Sequence, residues 1–122
     1  NPLINCDNRS SYVGEYTDNG TEAYDAFILY YNEIINLSTH NKLKFKIYSS
    51  SSVQVLAKLE GGSAIEKWSD FTLINSWQEY SYDFSDAIEN GNTTLVLFFN
   101  AGQTNGTNQD KYYIDDLRWE EN

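Results

Sequence analysis

Apolar side chains recur at every second position through much of this chain. Leu43, Phe45 and Ile47 alternate with Lys44 and Lys46, and Val53, Val55, Ala57 and Leu59 form a second row opposite Gln54, Lys58 and Glu60. Tyr80, Tyr82 and Phe84 share one parity of the segment 77–84. A period of two is the mark of a strand with one face buried. Leu95-Val96-Leu97-Phe98-Phe99 is apolar throughout and reads as a strand covered on both sides. Aromatic and β-branched stretches at 11–17, 23–31, 66–74 and 111–119 predict further strands. Asp18-Asn19-Gly20, Gly61-Gly62 and the Gly-, Asn- and Gln-rich stretch 101–110 supply the turns. No run of about ten residues has helical periodicity, and 86–90 offers at most one short turn. Many short strands at regular spacing predict an all-β antiparallel sandwich or barrel. With no repeat and no linker, the 122 residues are expected to form one domain, 1–122.

The last strand carries two carboxylates in an aromatic run, Tyr112-Tyr113-Ile114-Asp115-Asp116-Leu117-Arg118-Trp119. Strict alternation puts Tyr113, Asp115, Leu117 and Trp119 on one face, the more apolar one and so the expected core face. Tyr112, Ile114, Asp116 and Arg118 take the other. Asp115 then needs a partner, because a buried carboxylate is costly unless a cation or hydrogen bonds compensate it. That partner is either Ca2+, a basic side chain such as Arg118, or backbone amides, unless Asp115 sits at the rim of the core.

Composition narrows the chemistry. Eighteen acids against eight bases give a formal charge of −10, which opposes binding to nucleic acid or to anionic membranes. No apolar run approaches the length of a membrane span. Cys6 is the only cysteine, so no internal disulfide forms, and it is expected to be a small buried side chain. His40 is the only histidine and lies in a polar turn, Ser38-Thr39-His40-Asn41, without a nucleophile elbow beside it. Adjacent strand residues point to opposite faces, so Asp115 and Asp116 cannot form a glycosidase carboxylate pair. Ten tyrosines, six phenylalanines and three tryptophans remain, a set suited to strands with one wet face and to flat polar ligands.

The ordered set Asn1-Pro2 with Ser10-Ser11-Tyr12-Val13-Gly14, Leu43 to Ser50, Val55 to Glu60, Trp77 to Ser85, Leu97 to Asn100 and Tyr112 to Leu117 spans nearly the whole chain. In it the chain resembles a non-catalytic carbohydrate-binding module of the β-sandwich (jelly-roll) type. Such modules are attached to secreted bacterial polysaccharide-degrading enzymes and occur in surface glycan-binding proteins. The resemblance implies a jelly-roll fold, a polysaccharide partner, tethering to a catalytic domain and a secreted or cell-surface location in bacteria. It also implies a structural Ca2+ held by the first aspartate of the final strand, here Asp115, with the segment 5–11 as a source of further oxygens. These modules usually open with a strand that carries an acidic residue before the Asn-Pro and helps hold that calcium; this chain lacks it.

A sugar site needs flat aromatic side chains for the C–H faces of the rings and a few polar groups for the hydroxyls. Trp68, in Glu66-Lys67-Trp68-Ser69-Asp70, and Tyr24, in Glu22-Ala23-Tyr24-Asp25, are aromatics in polar settings and lead the candidates, with Tyr30 and Tyr31. Lys44, Lys46, Gln54 and Lys58 form an outward row that is either a solvated face or the lining of a concave sheet. If it is the site, the lysines tolerate uronic acids, although the overall charge opposes a polyanion. Trp77 and Trp119 follow strand parity and are expected in the core. The expectation is a binding module, not an enzyme, for a β-linked glucan of the laminarin kind, the sugar being implied by the resemblance alone. The alternatives are a structural or adhesive sandwich that binds no glycan, favoured if Trp68 and Tyr24 are buried, and a small lyase or hydrolase. Two facing carboxylates or a His–Tyr pair in one groove would point to the last.

Overall fold

A computed structural model of the chain describes residues 1–18, 22–102 and 110–121. The strands are β1 (Gly14–Thr17), β2 (Phe27–Tyr30), β3 (Lys42–Ser49), β4 (Gln54–Glu60), β5 (Ile65–Phe71), β6 (Ser76–Asp83), β7 (Thr94–Phe99) and β8 (Lys111–Glu120). One 3-10 turn, Ser85–Ala87, follows β6. All eight lie within or close to the segments that alternation predicts. The strand expected at 23–31 is shorter, and Tyr24 falls in the irregular segment before it. Most of the loop expected at 101–110, and the turn residues Asn19 and Gly20, lie outside the described residues.

The strands form two four-stranded sheets, ordered β1-β8-β3-β6 and β2-β7-β4-β5. Every pairing between strands is antiparallel. Each connection crosses from one sheet to the other except β4 to β5, so the molecule is a β-sandwich in the jelly-roll order. The inward rows meet between the sheets: Leu43, Phe45 and Ile47 from β3, Val55, Ala57 and Leu59 from β4, Tyr80 and Tyr82 from β6, Leu95, Leu97 and Phe99 from β7, Tyr112 and Ile114 from β8. Full burial of each large apolar side chain contributes about 1.5–3 kcal/mol. Phe99 stacks on Tyr112 at 4.8 Å and Phe45 on Tyr82 at 5.4 Å. The Tyr82 hydroxyl donates to the Val55 carbonyl at 3.0 Å, a buried hydrogen bond that ties one sheet to the other.

β8 departs from strict alternation. Lys46 pairs with Asp115 and Lys44 with Arg118, so Phe45 alone spans both Asp116 and Leu117. This is a β-bulge, with Asp116 at φ 57°, a left-handed conformation that aspartate adopts more readily than most residues. The bulge shifts the parity of the strand. Tyr112 and Ile114 are buried before it, and Leu117 and Trp119 pack on the core after it. Asp115 and Tyr113, expected on the core face, therefore lie on the outer face with Lys46 and Tyr48. Cys6, expected to be buried, is exposed in the N-terminal segment.

That segment caps the outer face of the β1-β8-β3-β6 sheet. Trp77 pairs with Tyr48 across β6 and β3 and so points outward rather than into the core. It is nonetheless buried, because its indole N–H donates to the Leu3 carbonyl at 2.8 Å and the Asn1 side-chain oxygen at 3.2 Å. The expectation of a core tryptophan fails on location, since a chain segment rather than the opposite sheet covers it.

Candidate functional site

The outer face of the β2-β7-β4-β5 sheet carries the leading aromatic candidates. Leu56 of β4 lies opposite Trp68 on β5 and opposite Phe98 on β7. Tyr24 meets Phe98 edge-on, with ring centroids 6.4 Å apart. A row Tyr24–Phe98–Leu56–Trp68 thus crosses the sheet. The next row is Ile28–Val96–Lys58–Glu66. Leu56 and Val96 are buried beneath, while Trp68 is 52% and Tyr24 69% exposed. Together they form an open cleft of about 480 Å3, lined by Tyr24, Leu56, Lys58, Glu66, Trp68, Phe98 and Ala101. The Gly102 amide donates to the Ala23 carbonyl at 2.9 Å and fastens the Tyr24 segment to the exit of β7.

The polar side of the cleft is an ion-paired trio. The Lys58 ammonium stands 2.9 Å from Glu60 and 3.9 Å from Glu66. The hydrogen bond to Glu60 raises the Lys58 pKa, with the charges of Glu60 and Glu66 adding to it, so the ammonium stays protonated. Glu66 stands across β4–β5 from Lys58 and two residues from Trp68 on the same strand face. Among the described residues it is the only carboxylate lining the cleft, and no pair of facing acids is found there.

The other expected residues separate. Tyr30 shares the outer face with Trp68, at its β2 edge opposite Thr94, and is 78% exposed. Gln54 is half-buried and donates to the Ser69 carbonyl at 2.8 Å. Lys44 and Lys46 are on β3, on the opposite side of the sandwich, so the four-residue row Lys44, Lys46, Gln54 and Lys58 does not exist as one surface. Lys44 pairs with Glu120 at 2.9 Å, and Lys46 donates to the Asp7 carbonyl at 2.8 Å. Sequence alone cannot say which sheet an alternating strand joins. The missed contributors are Leu56, Phe98 and Glu66. The apolar residues Leu56 and Phe98 at outward positions were the readable sign of a second covered face.

Tyr31 packs against the core and accepts a hydrogen bond from the Trp119 indole at 3.2 Å. With Trp119, His40, Glu33 and the segment 32–36 it lines a separate cleft of about 460 Å3. His40 is exposed, as expected of a turn residue, and its Nδ1 lies 2.9 Å from the Thr39 hydroxyl.

Asp115 lies under the N-terminal segment, in a polar cleft with Cys6 to Ser10, Lys46 and Asp116. Its carboxylate accepts from the Asn8 amide at 3.0 Å. Burial pushes its pKa up, but hydrogen bonds from Ser10, Asn8 and the Asp116 amide, with the Lys46 charge, outweigh this and hold it below the usual carboxylate value. A Ca2+ requires six to eight oxygens. Asp115 instead faces donors and an ammonium, and the nearby Asp7 carbonyl is taken by Lys46. Among the described residues no group of three or more His, Cys, Asp or Glu is arranged to hold a metal.

No protein-family model and no curated protein matches the chain. Among solved structures it is similar to SGBP-B from a complex xyloglucan utilization locus in Bacteroides uniformis, with a TM-score of 0.45 and 14% identity. The match covers 92% of this chain and 46% of that one, so the chain spans less than half of its length. No property of this chain follows from that likeness.

Proposed function

We propose that this chain is a non-catalytic polysaccharide-binding module that lays a glycan along the outer face of the β2-β7-β4-β5 sheet. The observation that carries the reading is the open cleft in which Trp68 and Tyr24 stand exposed on either side of Leu56 and Phe98, with Lys58 and Glu66 beside them. Sugar rings stack their C–H faces on the indole and phenol, and hydroxyls meet the ammonium and carboxylate. Tyr30 extends the face toward the β2 edge. A β-linked glucan of the laminarin kind is the ligand we favour, on the resemblance in sequence. Tethering to a catalytic domain of a secreted or cell-surface bacterial protein follows from the same resemblance.

Affinity gels containing β-glucans, xyloglucan, xylan, mannan or alginate test the reading. At least one neutral polymer should retard the domain. Trp68→Ala should weaken retention about tenfold, a loss of about 1.4 kcal/mol, with Tyr24→Ala somewhat less. Retention unchanged in both variants would remove this face from the site.

One observation favours a second reading. Tyr31 and His40 line one cleft, a pair that could serve as base and acid in a polysaccharide lyase. Abstraction of a proton beside a uronate carboxylate needs a cation to neutralise that group. Among the described residues no lysine or arginine lines the cleft, and Glu33 does, so we place binding ahead of catalysis. Release of unsaturated products from alginate, read as ultraviolet absorbance, would reverse that order.

A further inference from the structure

We propose that this face selects uncharged polysaccharides and rejects uronate-bearing ones, with Glu60 and Glu66 as the specificity-determining residues; the inference rests on the binding reading above. The chain has eight lysines and arginines. Six belong to the β1-β8-β3-β6 sheet or to the segment that covers it, and Lys67 reaches away to Asp86 at 2.7 Å. Lys58 is the cation left on the outer face of the β2-β7-β4-β5 sheet.

It is not free to receive a sugar carboxylate. Glu60 lies two residues along the same strand and Glu66 directly across the strand pair, so both flank Lys58 on the face that carries Trp68. The three charges sum to −1. A uronate seated on Trp68 and Tyr24 would bring its carboxylate up to Glu66 on the cleft wall, within a chain of net charge −10. Like charge set against a competing ligand gives specificity without any added attraction to the right one. Hydroxyls meet no such barrier. An ammonium has three donors and a carboxylate several acceptor positions, enough to serve hydroxyl groups while the trio stays paired. Lys58, which in the sequence alone argues for tolerance of uronic acids, is thus turned by its two neighbours into part of a neutral recognition surface.

The test compares wild type with the Glu60→Gln/Glu66→Gln variant on neutral gels (laminarin, xyloglucan, xylan, mannan) and anionic gels (alginate, polygalacturonate). Wild type should be retarded by a neutral polymer and at least about fivefold more weakly by either anionic one. The double variant leaves Lys58 unpaired, and its ratio of anionic to neutral retention should rise about fivefold at low salt, the ceiling for a solvent-exposed ion pair. That gain should vanish at about 0.5 M salt, where screening shortens to a few ångströms. A melting curve close to wild type shows that the variant is folded. Wild-type retention on alginate as strong as on the neutral polymers, and abolished by Trp68→Ala, would overturn the charge selection and leave the binding face standing. An unchanged ratio in the folded variant would overturn the role of Glu60 and Glu66. Retention on none of the polymers would overturn the binding face, and the selection with it.

Discussion

Trp77 and Trp68 both occupy outward positions, one on each sheet, yet they serve opposite ends. Trp77 is 5% exposed, sealed by the N-terminal segment, with its indole N–H spent on Leu3 and Asn1. Trp68 is 52% exposed on an open cleft, and among the described residues no chain segment lies over it. The contrast extends to the faces around them. Beside Trp77 the outward residues form a lattice in which Arg118 reaches Glu79, Asp116 and Glu120, and Lys44 reaches Glu120. Beside Trp68 they form aromatic and aliphatic rows with a single ion-paired trio. The same period of two thus builds both faces, and the identity of the outward residues decides which is closed by the N-terminal segment and which stays open among the described residues.

Truncating the two tryptophans gives the largest expected difference. Trp77→Ala should cost about 3 kcal/mol, because a buried aromatic is lost and the N-terminal segment loses its anchor. Trp68→Ala should change stability by less than about 0.5 kcal/mol while reducing glycan retention. Thermal melts of the two variants, read beside the affinity gels, check both halves. Equal melting temperatures would erase the contrast between a sealed and an open face.

The fold was legible because alternation survives in β3, β4 and β6, where Leu43, Phe45 and Ile47, Val55, Ala57 and Leu59, and Tyr80 and Tyr82 form the inward rows. Two features were not legible. A bulge is a single extra residue with no strong sequence mark, and at Asp116 it inverted the side assigned to Asp115, Ile114 and Tyr112. The partition of strands between sheets is set by long-range pairing, so Lys44 and Lys46 could not be separated from Gln54 and Lys58 by inspection of the chain. Trp68 and Tyr24 line one cleft because β4 and β7 between them present Leu56 and Phe98 outward. Cys6 failed for the opposite reason: a small residue in an irregular segment carries no periodic signal.

A smaller effect lies at the edge where the two faces meet. Asp18, just after β1, is buried, and its amide donates to the Asp110 carbonyl at 2.8 Å. Burial, then a hydrogen bond and the charge of Asp25, then the charge of Asp110, push its carboxyl up to about 7. The folded state therefore holds this proton more tightly than the unfolded chain does. Between about pH 4 and pH 7 the folded state binds the extra proton, so its contribution to stability is present in acid and falls as pH rises through that window. The loss should be seen as a falling melting temperature across the window. Asp18→Asn should flatten the slope. A slope unchanged in that variant would assign the titration to another group.

Asp115 should show the reverse sign and the smallest response to added reagents. Its pKa is depressed, so the stabilisation from its contacts with Asn8 and Ser10 is present above the unfolded value and is lost as pH falls through the folded one. A bound Ca2+ would make the melting temperature depend on chelation through ligand-linked stability. Because the carboxylate is already met by an amide, a hydroxyl and an ammonium, EDTA should leave the midpoint where it is. A fall of several degrees with EDTA, restored by added calcium, would mean that Asn8 and Lys46 turn away to admit the ion. The sealed face would then be held by a metal rather than by hydrogen bonds, and the contrast with the open face would rest on calcium.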